Sequence, residues 1–416
     1  MEGGTHPDPR SRSGVRPRMQ SVPGRERLCA CRADRRRITG MDWIPFAERL
    51  AAKVTHPRSR WRDSVASTPR HLLVPRWWAP GPGGRTAQDG PADPRTWARA
   101  AYADRTLVTR VGDLHADHAK PGDRPQGYPT SSATLPGLVL QMFGHARLHP
   151  GLHVLDVGTG SGYGAALLSR FVGDARVTSV DVDPYLTSVA TERLEEIGLY
   201  PEIVTVDATG PLSSAYDRIV ATVSVRPVPP SWLAALKPEG RLVTTITGTS
   251  LVIVADATPD GGAVGGVARD WAMFMATRSG VDYPSGLDEL MNIARTAEGD
   301  QVTTGRYPVL ELLEAWDVRS MLEINTPGIE HEYVEDGDTR TALMAHSDGS
   351  WARTEQTGQN PPTVHQSGPR RLWDELDRVR DYWLQHGSLP LYGARVRITP
   401  DGAIRLKRGR WEATVS

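Results

Sequence analysis

VLDVGTGSGYGAALLS, residues 154–169, contains three devices in succession. Val154, Leu155 and Val157 form a short apolar run of the kind a strand buried on both faces needs, with Asp156 carried along it. Gly158, Gly160 and Gly162 then make a turn, and a helical pattern starts at about Tyr163. Glycines at such a turn let the backbone fold tightly and approach a ligand, because no Cβ stands in the way.

The glycine spacing narrows the ligand. A dinucleotide fingerprint runs G-x-G-x-x-G and rests a pyrophosphate on the helix N-terminus. Here the spacing is G-x-G-x-G, which suits a compact zwitterionic nucleoside better than a long dinucleotide. A tight strand-to-helix turn with no ligand is the bland alternative, and the downstream sequence weakens it. Val177 to Asp181 reads as a second strand ending in a carboxylate about twenty residues past the turn, the place for an acid that accepts from ribose hydroxyls. Ile203 to Val206 is a third strand, followed by Asp207-Ala208 where an adenine edge would lie. A fourth strand starts at Tyr216, and WLAALKPEGRLVTTI supplies a helix, a turn at Pro238-Glu239-Gly240 and a fifth strand. The expected fold is α/β, a Rossmann-like, doubly wound and mostly parallel sheet. Its candidate ligand-holding residues are Asp156, Gly158, Thr159, Gly160, Ser161, Gly162, Asp181, Asp207 and Ala208.

Composition bounds the rest. The 416 residues carry 49 basic and 49 acidic side chains, but ten arginines against four acids fall in residues 1–40. The remainder is mildly acidic, which argues against a nucleic-acid partner. No apolar stretch is long enough for a membrane span. The only cysteines, Cys29 and Cys31, lie in the Arg-rich beginning, a pattern consistent with a cytoplasmic location. Residues 1–40 are expected to be disordered, with the working start at Met41. His115, Asp117 and His118 sit in a polar loop without a second ligand pair, so no metal site is expected.

Four segments follow from these patterns. After residues 1–40 comes a helical, substrate-side part at 41–129, with a Gly/Pro-rich loop over 79–95 and a strand at Leu107 to Val111. The nucleoside-binding unit spans 130–280. An α+β extension fills 281–416, with a helix at 308–315, a hairpin around Asp348-Gly349, a polar linker at 353–369, and a helix carrying Leu372, Leu376, Val379 and Trp383. A basic hairpin follows, turning at Pro400-Asp401-Gly402. The extension reads either as plain packing or as a peptide-docking surface.

With these residues in place, the chain resembles the protein-L-isoaspartate O-methyltransferase family. TPRHLLVP at 68–75, the Ser/Thr loop before Pro136, LDVGTGSGY, and AYDRIVATVSV with LKPEGRLV carry the likeness over roughly residues 42–250. The resemblance implies the class I S-adenosylmethionine-dependent methyltransferase fold, with S-adenosyl-L-methionine as cofactor. The family's T-I-S-x-P loop corresponds to Ser132-Ala133-Thr134-Leu135-Pro136, which assigns the catalytic hydroxyl to Thr134, assisted by Ser132 and Ser131. Threonine in place of serine adds a methyl group, and Ala208 stands where the family has glycine. YADRTLVTRV, YPTSSATLP and the long extension are similar to a subgroup that accompanies ribosomal-peptide maturation by ATP-grasp (graspetide) or lanthipeptide enzymes. That likeness implies esterification of an aspartate in a macrocyclic precursor peptide, leading to an aspartimide, with a peptide maturase as a possible partner.

Three functions stay open at this stage: that peptide methylation, general repair of isoaspartyl residues in damaged proteins, and a non-catalytic cofactor-binding partner of a peptide synthetase. Ser131 to Thr134 also has a purely structural reading as a hydroxyl-rich helix cap. Asp104 and Arg105 read as a solvated pair or as substrate contacts, and His71 as a packing residue.

Overall fold

A computed structural model describes residues 1, 37–38, 41–81, 83–212, 214–278 and 287–416. The expected disorder of residues 1–40, and Cys29 and Cys31 with it, falls outside the described residues apart from Met1 and a two-residue strand at Arg37–Ile38.

A ten-stranded sheet organises the chain. Its parallel half runs, in spatial order, Glu202–Thr205, Val177–Asp181, Val154–Val157, Tyr216–Val225 and Leu236–Ile246. The strand order reverses beside Val154–Val157, and a crevice at the carboxyl ends of strands on either side of such a switch is where open α/β sheets bind ligands. All four residues of Val154–Val157 are buried, as an apolar central strand demands. The helices Tyr163–Val172 and Pro184–Glu196 follow the first two strands of the unit. The second is well specified locally: Pro184 opens it, and the Asp183 carboxylate accepts from the N–H groups of Tyr185 and Leu186.

Leu251–Ala257 and Ala263–Trp271 continue the sheet antiparallel. The chain then leaves it and returns at Arg395–Ile398, which pairs with Ala263–Trp271, followed by Ile404–Arg408 and Trp411–Val415. Between departure and return lies a second, five-stranded antiparallel sheet, ordered Gln301–Thr304, Thr363–Ser367, Trp351–Thr357, Thr339–Ala345 and Glu330–Asp336. It packs with the helices Asp288–Thr296 and Leu372–Gln385, and Trp316–Asn325 packs in turn on Leu372–Gln385. One apolar core runs through both parts, joining Leu155, Trp232 and Ile253 to Leu322, Trp373, Val396 and Val415. The extension expected at 281–416 thus contributes an extra sheet and also completes the central one.

Several expectations are corrected. The part expected to be helical over 41–129 holds the helices Ile44–Val54, Trp61–Ser67, Arg70–Leu73 and Pro94–Ala101, but also a sheet. Its strands Arg76–Gly81 and Gly84–Asp89 pair where a loop was expected, because the glycines that signalled the loop only make its turn: Gly83 and Gly84 have φ of 74° and 113°. The helix expected at 308–315 lies instead at Trp316–Asn325, and the Val309 N–H donates to the Gln356 side chain at 3.0 Å. The linker expected at 353–369 holds two strands. Buried Arg353, Thr354, Gln356 and Gln366 hide their alternation from a reading that equates polar with exposed.

Candidate active site

Gly158 and Thr159 donate their N–H groups to Val180 O at 2.9 and 3.1 Å, which lays the glycine turn across the end of the neighbouring strand. Gly158, Gly160 and Gly162 have φ of 99°, 50° and 80°, a region that only glycine enters freely. Space adds a second demand. A Cβ on Gly158 would lie 3.1 Å from Thr222 Oγ1, and one on Gly160 would lie 3.2 Å from Ser132 O. The protein itself thus closes on the turn from both sides.

Beside this turn opens a cleft of about 250 Å³. Its walls include Gly158, Thr159, Gly160, Ser161, Asp181, Asp207 and Ala208, and also Ser131, Ser132 and Thr134. The structure therefore brings one cavity's worth of the sequence candidates together, with two exceptions. Asp156 is one: it is 1 % exposed and lies behind the turn, where its Oδ2 accepts from Ser179 Oγ at 2.8 Å. Thr159 Oγ1 lies 2.7 Å from Ser179 Oγ, so the three side chains form a buried chain that holds the turn from below. Burial, with a smaller contribution from the charge of Asp181, pushes the Asp156 carboxyl up to about 7 against the pull of Ser179. Gly162 is the other. It starts the helix and faces Ala190 and Leu194, not the cavity.

Asp181 is positioned by its backbone neighbours: Oδ2 accepts from Gly160 N at 3.0 Å and Oδ1 from Asp183 N at 3.2 Å. Its carboxyl is raised chiefly by burial, while these N–H donors and the Arg278 charge oppose the shift. Lone pairs remain on both oxygens for a pair of hydroxyls. Asp207 Oδ1 accepts from the N–H and hydroxyl of Thr209, and Ala208 O accepts from the buried indole of Trp232 at 2.7 Å. These residues fit an adenine nucleoside: acids at two strand tips, an apolar shelf of Val182, Leu186 and Val206, and a glycine turn for the polar end.

The opposite wall comes from the N-terminal part. Pro129–Ala133 is a strand paired with Leu107–Val111, where the sequence suggested a loop; its buried residues include Thr130 and Ser131, so no apolar alternation announces it. Ser131 Oγ accepts from Thr109 Oγ1 at 3.0 Å. Thr134 does not cap the following helix, Pro136–His145. That helix has no side-chain cap at its start, and Asp104 Oδ1 instead accepts from Gly137 N at 2.7 Å. Half-buried Asp104 thereby fastens the start of that helix. The Thr134 and Ser132 hydroxyls make no hydrogen bond among the described residues, and both face the cleft.

Two contributors escaped the sequence reading. Arg70 is fully buried, and its guanidinium donates to the carbonyls of Ala101, Ala103, Arg105, Ala133 and Thr134. It fastens the hydroxyl-bearing loop to its neighbours. TPRHLLVP could have flagged it. His71 beside it packs as expected, its Nδ1 on the Tyr102 hydroxyl and its ring edge-on to Trp97. The second is Met273 to Arg278, which closes one side of the cleft through a parallel bridge between Ser224 and Ala276. Arg278 donates to Thr130 O at 3.2 Å and is the one cation lining the cavity among the described residues. No local pattern announces such a wall.

His115 and Asp117 join a polar cluster in which Asp117 pairs with Arg193 and accepts from the Tyr185 hydroxyl. No group of three or more potential metal ligands occurs among the described residues.

Comparison with known proteins gives this geometry a family. The profile of the protein-L-isoaspartate(D-aspartate) O-methyltransferase (PCMT) family matches residues 116–264. A protein-L-isoaspartate O-methyltransferase of a Bradyrhizobium species is 30 % identical over 163 residues, 36 % of this chain and 75 % of the relative. One from Gloeobacter violaceus is 31 % identical over 205 residues, 48 % of this chain and 80 % of the relative. The match to the Thermotoga maritima protein of the same name is 35 % identical but spans only 40 % of that protein. A solved protein-L-isoaspartate O-methyltransferase overlays with a TM-score of 0.47 at 17 % identity, covering 89 % of this chain and 98 % of that one. With relatives at 30 % identity or above matched over three quarters of their own length, the chain belongs to the protein-L-isoaspartate O-methyltransferase family.

Proposed function

We propose that the chain is an S-adenosylmethionine-dependent O-methyltransferase that esterifies an aspartyl or isoaspartyl carboxylate of a polypeptide. The reading is carried by one observation: two uncommitted hydroxyls, Thr134 and Ser132, share a cleft with the carboxylates of Asp181 and Asp207. When bound, S-adenosylmethionine supplies an electrophilic methyl group. An acceptor carboxylate of ordinary pKa is already ionised at neutral pH, so the chain need not provide a general base. Its task is placement. Thr134 and Ser132 donate to one acceptor oxygen and leave the other free to attack, while Arg278 attracts the acid into the cleft. Leu135, Leu138 and Val139 line the same space and exclude water. Holding two reactants in near-attack geometry is worth about 7–11 kcal/mol.

The narrower reading is that the acceptor is an aspartate in a macrocyclic ribosomally made peptide. Esterification makes the side-chain carbonyl a better acyl donor. The following backbone nitrogen attacks it, methanol leaves, and a five-membered aspartimide closes. The second sheet and the strands between Arg395 and Val415 lie outside residues 116–264, the segment the family profile matches, and offer surface for a substrate larger than one side chain. Isoaspartyl repair is the competing use of the same chemistry, and the family relationship supports it at least as well.

One experiment separates them. The protein is incubated with cofactor and either a linear isoaspartyl peptide or a cyclised aspartyl peptide. Gain of one methylene mass on the cyclic peptide, then a species one water lighter than the start, supports the maturation reading. Methylation of the linear peptide alone selects repair, and methylation of neither overturns the proposal.

A further inference from the structure

The last three strands carry a charge arrangement that packing does not require. In Arg395–Ile398 and Ile404–Arg408 the apolar residues Val396, Ile398, Ile404 and Leu406 face the core, and Arg395, Arg397, Arg405 and Lys407 face solvent. The register sets Arg395 directly opposite Lys407 and Arg397 directly opposite Arg405. Like charges in directly opposed positions destabilise a sheet. Arg397 pairs with Asp260 and Lys407 with Glu412, both on the surface, where such pairs contribute little. Arg395 and Arg405 have no ion-pair partner among the described residues. A basic ladder thus stands out on a body in which acids outnumber bases from residue 41 onward.

We propose that this face docks an extended acidic stretch of the substrate polypeptide, away from the carboxylate being esterified. The inference rests on the reading of the chain as a polypeptide methyltransferase and adds a substrate class to it. The spacing favours a peptide. Along each strand the cations recur every second residue, about 6.8 Å apart, the repeat of alternate side chains in an extended chain. A shallow groove runs over the face, lined by Val264 and Gly265 beside the cations. Five to six strand spacings separate the ladder from Val154–Val157, roughly 24–29 Å, which about seven to nine extended residues cross.

The test uses the full chain and two synthetic peptides with the same methyl-accepting site. One carries a distal tract of four alternating Glu-Ser units, the other four Gln-Ser units. The wild type is expected to show a KM lower by roughly tenfold for the Glu-Ser peptide, an advantage that shrinks as salt rises. In the double variant Arg395→Glu/Arg405→Glu the advantage disappears, while kcat and KM for the Gln-Ser peptide stay unchanged, which shows that the fold is intact. Equal KM values in the wild type, or an advantage that survives the double variant, overturns docking. So does a single-stranded oligonucleotide of equal charge that binds the wild type as tightly as the Glu-Ser peptide. If neither peptide is methylated, the functional reading fails, and calorimetry with the Glu-Ser peptide decides docking by itself.

Discussion

Ser179 donates a 2.8 Å hydrogen bond to Asp156 from the adjacent parallel strand, and both lie beneath the glycine turn, not in the cleft. The acid within the turn motif therefore acts on the turn, and its consequence is a stability profile. Its carboxyl is raised to about 7 by burial, against roughly 3.9 in an unfolded chain. Between those values the folded protein keeps a proton that the unfolded chain has lost. Stability contributed by Asp156 is thus fully present below about pH 4 and is lost as pH rises through 7, by at most roughly 4 kcal/mol. Buried His71 and His115 and half-buried His331, all lowered by desolvation, slope the other way. Denaturant unfolding of the wild type and Asp156→Asn from pH 4.5 to 7.5 isolates the carboxyl term. The wild type should lose stability relative to the variant as pH rises, and a constant difference would remove the buried neutral acid.

Arg70 makes a different demand. Its guanidinium serves five carbonyls, two of them on Ala133 and Thr134. Truncation leaves those buried acceptors without donors and opens a cavity. Arg70→Ala should cost roughly 3–5 kcal/mol, read as a lowered denaturation midpoint. Lysine, with three donors and no planar fork, should recover only part of that loss.

Gly160 joins the two walls of the cleft. Its φ of 50° and the 3.2 Å approach of Ser132 O leave no comfortable place for a methyl group. Gly160→Ala should cost about 1–3 kcal/mol through backbone strain. It should also push the Ser132 strand outward, so calorimetry should show weaker binding of S-adenosylmethionine. Unchanged affinity would mean that the two walls move independently.

The parallel half of the fold was legible because its signals are local: apolar runs, a glycine turn, and carboxylates at Asp181 and Asp207 where strands end. The roles proposed for Thr134 and Ser132 come from resemblance, since hydroxyls before a proline-started helix read equally well as caps in sequence. Asp156 was misplaced because sequence gives the order of residues in a turn but not which side of it they face. Arg70 and Met273 to Arg278 act through tertiary hydrogen bonds and a single bridge to Ser224, none with a periodicity. The strands at 351–367 were hidden by buried polar residues whose partners, such as Gln366 with the Trp373 N–H, lie in other elements.

Thr134 carries the sharpest test of the chemistry. Its carbonyl is held by Arg70 and its hydroxyl faces the cleft uncommitted, so side-chain substitutions leave the loop's fastening intact. Thr134→Ser keeps the donor and removes a methyl group, and should retain activity within a few-fold. Thr134→Val keeps the shape and removes the donor. Loss of one positioned donor at a reacting oxygen typically costs on the order of a hundredfold in kcat, and that loss should appear in kcat/KM for a peptide carboxylate. Cofactor affinity, read by calorimetry, should not change, because the residues proposed to hold the nucleoside lie on the opposite wall. A valine variant with full kcat would transfer the orienting role to Ser132. Full activity in the Ser132→Ala/Thr134→Val pair would remove the hydroxyls from the chemistry altogether.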